Sequence, residues 1–290
     1  MRRLVFIAGL LVLLASNSRA AHNPSVAVLD FGESRFAHQA AQNLREYLRA
    51  TKELQIADVD LARAAAKGIG YAGSLNLSIS EARDLGAALA TDFYIIGDAQ
   101  TLRRSAYSRP VYYESYCSLF VVSARTGQLV IWDRFSVDGD QAPEDRLFKE
   151  LSAEKTIQRI LSAVRNTQDV ERAQRTIAVA TSEPLIEEAP DNDEVAEVKG
   201  IRLPRPYRRL RPDYPESAAR AEAEGTVDVL VDVGADGEVS DVRVARWAGF
   251  GLDEVTVATV RKLHFFPAMK NGTAIAMRVL LRYNFRKPPR

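Results

Sequence analysis

The chain has 290 residues, with 39 Lys and Arg against 38 Asp and Glu, a single Cys and a hydrophobic fraction of 47%. Balanced charge removes the electrostatic argument for a nucleic-acid partner, and one cysteine excludes an internal disulfide framework. The length favours two folded domains over one.

Met1-Arg2-Arg3 is followed by an uncharged run from Leu4 to Ala15. That is about twelve apolar residues against the roughly twenty a spanning helix needs. With Ser18-Arg19-Ala20 behind it, the layout predicts a signal peptide over 1–20 and cleavage after Ala20. The competing reading is an uncleaved anchor, whose apolar run would have to absorb Asn17, Ser18 and Arg19. No Cys lies near the site to carry a lipid.

A first domain is expected over 21–173. Val26 to Phe31, closed by Gly32, reads as a buried strand, and Phe36, Ala40, Leu44, Tyr47 and Leu48 recur at helical spacing after it. Leu54 to Val59 alternates as a second strand, Asp60 to Ala66 is a short helix, and Ser78 or Ser80 caps another helix carrying Leu85 and Leu89. Phe93 to Ala99 is strand-like. Val111–Ser123 and Leu129–Val137 flank a Thr-Gly turn as a hairpin, and a closing helix is expected from Glu144 to Arg165. Strands that alternate with helices and then form a hairpin predict a mixed α/β sheet covered by helices.

Residues 174–211 read as a flexible linker, acidic and then Arg/Pro-rich. Glu183, Glu187, Glu188, Asp191, Asp193, Glu194 and Glu197 surround Pro184 and Pro190, with too few apolar residues to offset the cost of ordering the backbone. Arg202, Arg205, Arg208, Arg209 and Arg211 follow among Pro204, Pro206 and Pro212. This is either a solvated polyproline-type lead-in or, over Arg202–Arg211, a contact for an anionic membrane or cell-wall surface.

The second domain is expected over 212–290, giving an α+β chain overall. Tyr214-Pro215-Glu216 opens a short helix that Gly225 stops. Val227, Val229, Val231 and Val233 alternate with Asp228 and Asp232, and Asp236-Gly237 turns the chain into a strand with Val239, Val242 and Val244, whose changed spacing suggests a bulge. Leu252 to Leu263 is helical, Asn271-Gly272 is a turn, and Ala274 to Phe285 is a long last strand.

Catalytic patterns are missing. The histidines His22, His38 and His264 have no metal-ligand spacing, no Ser sits in a nucleophile elbow, and no phosphate loop is present, so no cofactor or metal is implied. Gly68-Ile69-Gly70-Tyr71-Ala72-Gly73 fits the dinucleotide fingerprint formally, but an Ala-rich helix stands where the preceding strand should be, which favours a loop over a nucleotide-dependent enzyme. Cys117, in a strand-like run, reads as a small buried residue. Asn76-Leu77-Ser78 and Asn271-Gly272-Thr273 match the glycosylation sequon weakly.

From Tyr214-Pro215 through Gly225-Thr226-Val227-Asp228-Val229, Asp236-Gly237-Glu238-Val239, Leu252-Asp253 and Phe265-Phe266-Pro267-Ala268 to Asn271-Gly272 and the closing strand, order and spacing resemble the TonB C-terminal domain family. The resemblance implies a periplasmic module with helices on a three-stranded antiparallel sheet, pairing with a short peptide near the N-terminus of an outer-membrane transporter or another envelope protein. A long final strand offers the backbone groups for such strand addition. On this reading Arg278, Val279, Leu280, Leu281, Arg282, Tyr283, Asn284 and Phe285 form the docking edge, with Tyr214 and Pro215 beside it. The Arg-rich lead-in, or a second copy in a homodimer, are the other candidates to cover it. The first domain resembles the group shared by the curli secretion protein CsgG and the N-terminal part of TolB, through Val26–Phe31, Leu85-Gly86-Ala87, Asp92–Gly97 and Arg125-Thr126-Gly127.

Together these features predict a periplasmic, non-enzymatic adaptor. An inner-membrane-anchored energy transducer is the alternative, but the family's energised members carry a His in a full membrane helix and a long Pro-rich span. Here about thirty-five linker residues reach roughly 30–35 Å as a flexible coil.

Overall fold

A computed structural model describes residues 23–178, 186–190 and 193–287. The expected signal peptide, the anchor alternative and part of the acidic run therefore lie outside the described residues. In chain order the N-terminal elements are β1 (Ser25–Val28), α1 (Arg35–Ala50), β2 (Gln55–Ile56), α2 (Val59–Gly68), α3 (Ile79–Leu89), β3 (Phe93–Ala106), β4 (Arg109–Ser123), β5 (Leu129–Gly139), α4 (Glu144–Leu151) and α5 (Glu154–Ala178). They are followed by β6 (Glu187–Glu188), α6 (Asp193–Val198), β7 (Ile201–Arg202), β8 (Arg205–Pro206), α7 (Glu216–Ala221), β9 (Gly225–Val233), β10 (Val239–Arg246), α8 (Leu252–Val260), β11 (Phe265–Phe266), β12 (Ala268–Lys270), β13 (Thr273–Ile275) and β14 (Met277–Phe285).

The N-terminal sheet is mixed, in the order β2-β1-β3-β4-β5, with β1 parallel to both neighbours and β3-β4-β5 antiparallel. The apolar stripe of α1, joined by α4 and α5, buries one face over Val26, Val28, Ile95, Leu119 and Val121. Helices α2 and α3 cover the other face over Ala27, Tyr94, Ile96, Phe120 and Val122. Ser78 caps α3 in a reciprocal capping box with Glu81. The second strand is shorter than its alternation suggests, because the Asp58 side chain caps α2 and starts a helix at Val59. The expected closing helix is two helices. The chain breaks at Ser152-Ala153, where the Thr156 hydroxyl donates to the Glu150 carbonyl, and α5 then runs on to Ala178.

In the C-terminal module β10-β9-β14 is antiparallel, and the alternating valines of β9 form its core, from Val227 at 0% exposure to Val233 at 1%. The bulge after Val239 is present. Pro215 is the N-cap of α7, one position before the expected first turn, and Glu222 in the left-handed region ends that helix, leaving Gly225 to open β9. The last strand is divided at Ala276 into β13 and β14.

Two departures matter for function. The described part of the expected flexible linker is paired onto the C-terminal module: β6 joins β14 in parallel as a fourth strand, β7 pairs with β12, and β8 with β11. Its apolar residues, few as they are, find a shared site, with Ala196 and Ile201 buried against Ala268 and Met277. The two modules also touch. Trp247, at the end of β10, is 1% exposed inside the N-terminal core, stacked on Phe120 with ring centroids 5.9 Å apart, and its indole N–H donates to the Gly127 carbonyl at 3.0 Å. Phe250 packs edge-on against Phe120. Asn76 donates to the carbonyls of Thr226 and Trp247 and accepts from the Thr226 N–H. Both amide hydrogens of Asn76 are thus engaged, which speaks against modification at the first sequon, Asn76-Leu77-Ser78. Among the described residues no helix is long and apolar enough to cross a membrane.

Candidate partner-binding edge

Strand β14 pairs with β9 along its whole length, from Met277 opposite Val233 to Phe285 opposite Gly225. On its other side, among the described residues, Met277 and Arg278 are paired with Glu187 and Glu188 of β6. The Arg278 carbonyl accepts from Ala189 N–H at 2.8 Å, so residue 278 turns its backbone groups toward that side. Alternation along the strand then sends the N–H and C=O of Leu280, Arg282 and Asn284 to the same side. Among the described residues no strand pairs with that stretch. The edge thus presents three consecutive donor–acceptor pairs.

The side chains of the expected docking residues are mostly committed elsewhere. Val279, Leu281, Tyr283 and Phe285 pack on the core beneath the sheet. Burial pushes the Tyr283 phenol up from its ordinary value. On the opposite face Arg278 makes a bidentate pair with Asp232 (2.6 and 2.8 Å), and Arg282 one with Asp228 (2.7 and 2.9 Å). Arg243 and Arg246 of β10 add to the same two carboxylates. Asp228 and Asp232 are each 5% exposed, although alternation alone put them on the outer face. Hydrogen bonding from Arg278 holds the Asp232 carboxyl below its usual range. The sequence reading missed this ladder. Its signal was available in two equal spacings of four, Asp228/Asp232 and Arg278/Arg282, which meet only in one antiparallel register. Leu280 is 53% exposed, and the Asn284 side-chain oxygen accepts from the Thr226 hydroxyl.

Tyr214 is an internal tie. Its hydroxyl donates to the Ala223 carbonyl at 2.6 Å and fixes the turn from α7 into β9, where Lys287 N–H donates to Glu224 and the Lys287 ammonium pairs with Glu222. That turn lies at the C-terminal end of the edge, while Pro215 caps α7 and packs near Gly251.

Other candidate chemistry falls away on geometry. Gly68 is the last residue of α2, so the glycine-rich stretch follows a helix and opens none within it. Cys117 is fully buried, and burial drives its thiol up, away from the reactive thiolate. Among the described residues no group of three or more His, Cys, Asp and Glu is placed to hold a metal ion. A cavity of about 700 Å³ lies between the modules, bounded by Leu129 and Trp132 of β5, Val242 and Val244 of β10, and Val257 of α8. Asp253 lines it and accepts from the Ala248 and Gly249 N–H groups. Burial outweighs those two bonds and pushes its carboxyl up to about 7.

Residues 211–286 match the family model of the Gram-negative bacterial TonB protein C-terminal domain. Protein TonB of Xanthomonas campestris pv. campestris (strain B100) is 37% identical over 75 residues, which cover 26% of this chain and 34% of that protein. The chain thus spans about a third of the length of the curated relatives it matches. Among solved structures, the Pseudomonas aeruginosa TonB C-terminal domain aligns at 23% identity and a TM-score of 0.28, over 37% of this chain and 99% of that one. The hypothetical protein CT253 from Chlamydia trachomatis aligns at 12% identity and a TM-score of 0.33, over 49% and 99%. The C-terminal module is a TonB-like domain.

Proposed function

We propose that this protein is a non-enzymatic adaptor of the periplasm, and that it binds an extended segment of an outer-membrane transporter or another envelope protein by strand addition to β14. One observation carries the reading: in a TonB-like module, Leu280, Arg282 and Asn284 hold three outward donor–acceptor pairs on an edge that no strand covers among the described residues. Backbone pairing supplies the affinity, and the alternate side chains of the guest supply selectivity. The N-terminal domain, gripping Trp247, holds this edge in a fixed place and offers a second surface to the envelope, in keeping with its resemblance to the CsgG and TolB group. Titration of the full chain with extended peptides copying the N-terminal segments of outer-membrane transporters tests the proposal. Perturbation of the Leu280, Arg282 and Asn284 amides is the expected result. Binding confined to any other surface, or no binding, overturns it.

A further inference from the structure

The docking edge already carries a guest from within the chain. Glu187 and Glu188 lie parallel to Met277 and Arg278, and Ala189 donates to the Arg278 carbonyl at 2.8 Å. Lys270 grips Glu187 through both carboxylate oxygens, each at 2.9 Å. Ala189 rests against the small cluster of Ala196, Ile201, Ala268 and Met277. The attachment is slight. Among the described residues two are paired, against the nine-residue ladder that joins β14 to β9. The Lys270–Glu187 pair is 41% exposed on both sides, the kind of surface ion pair that contributes little and is screened by salt.

We infer that residues 186–190 are an internal competitor for the docking edge, a strand that holds the Arg278 rung until a partner displaces it. The inference rests on the strand-addition reading above. With the segment in place a guest has three outward rungs, at Leu280, Arg282 and Asn284. With it released, the Arg278 N–H and C=O become a fourth, and a guest strand of ordinary length spans the whole edge. One or two net backbone hydrogen bonds correspond to about a tenfold gain in affinity. The acidic segment therefore taxes long guests and spares short ones, because a short strand uses the three open rungs with the segment in place, while a strand that takes the full edge must first release it.

Three variants of the full chain test this. Glu187→Lys sets a like charge against Lys270, Ala189→Pro removes the donated N–H, and the double exchange Glu187→Lys with Lys270→Glu restores the attraction. Two readouts are taken: hydrogen exchange at the Arg278 amide, and affinity for a synthetic twelve-residue peptide copying an outer-membrane transporter N-terminus. Faster Arg278 exchange and about tenfold tighter peptide binding are expected in the first two variants, with return toward the parent in the third. Unchanged Arg278 exchange shows that the segment does not hold the rung and overturns the inference. Faster exchange with equal peptide affinity in all four proteins overturns the competition while leaving strand addition intact. Absence of peptide binding in all four removes strand addition itself, and the competitor with it.

Discussion

Replacing Trp247 by Ala takes away the side chain that joins the two modules. The indole is 1% exposed, stacked on Phe120 at 5.9 Å, and hydrogen-bonded to the Gly127 carbonyl at 3.0 Å. Truncating a buried aromatic of this size costs about 3–5 kcal/mol, because the cavity closes only in part. The Gly127 carbonyl, left unpaired between the modules, adds about 1 kcal/mol. The sum of roughly 4–6 kcal/mol is comparable with the whole stability of many domains. Because Trp247 lies in the core of the N-terminal domain, the loss should appear in both modules: denaturant unfolding followed by far-UV circular dichroism should shift throughout, and protease should cut near residues 246–251. Trp247→Phe keeps a ring against Phe120 and loses the N–H, so it should cost about 1–3 kcal/mol and leave the modules docked. A Trp247→Ala protein that loses less than 1 kcal/mol, or whose N-terminal domain unfolds as before, would refute the claim that this residue fastens the modules together.

Other outcomes follow from the same contacts. Asn76→Ala removes three hydrogen bonds across the interface and should destabilise by about 1–3 kcal/mol; a double-mutant cycle with Trp247→Phe should show coupling, and strict additivity would contradict a shared interface. Asp253, raised to about 7 when folded, keeps a proton that the unfolded chain releases near pH 4. Stability should fall as pH rises from about 4 to 7, by as much as about 4 kcal/mol, and Asp253→Asn should flatten that slope. Asp232 has the opposite sign. Its folded carboxyl is held low by Arg278, so its contribution is present above about pH 4 and is lost as pH falls through the folded value. Acid unfolding of Arg278→Gln should accordingly lose this component, and an unaltered acid limb would count against the ion-pair ladder.

Much of the fold was readable because local signals and packing agree. The valines of β9, the Asp236-Gly237 turn, the amphipathic α1 and the β4–β5 hairpin follow from periodicity and turn chemistry. The open edge of β14 was legible as a long last strand, yet the contacts of each side chain were not. Periodicity separates two faces of a strand but gives no partner, so alternation placed Asp228 and Asp232 opposite the valines without showing the two arginines, about fifty residues away in sequence, that bury them. The paired linker was hidden for a related reason. Its composition is that of a disordered segment, and only the neighbouring surface, with Lys270, Ala268 and Met277, gives Glu187, Ala196 and Ile201 something to bind. Trp247 carried a faint signal, a large aromatic before Ala-Gly-Phe-Gly. Gly249 and Gly251 take positive φ there, which lets the loop swing its aromatic residues into the N-terminal domain.

Strand addition itself is tested most directly by Leu280→Pro. The Leu280 N–H faces the open side, so proline at this edge position spares the ladder to β9 while deleting one outward donor and crowding an incoming strand. The account predicts a melting temperature close to that of the parent and at least about tenfold weaker binding of the transporter-type peptide. Equal affinity in the folded variant would contradict the assignment of the β14 edge as the docking site.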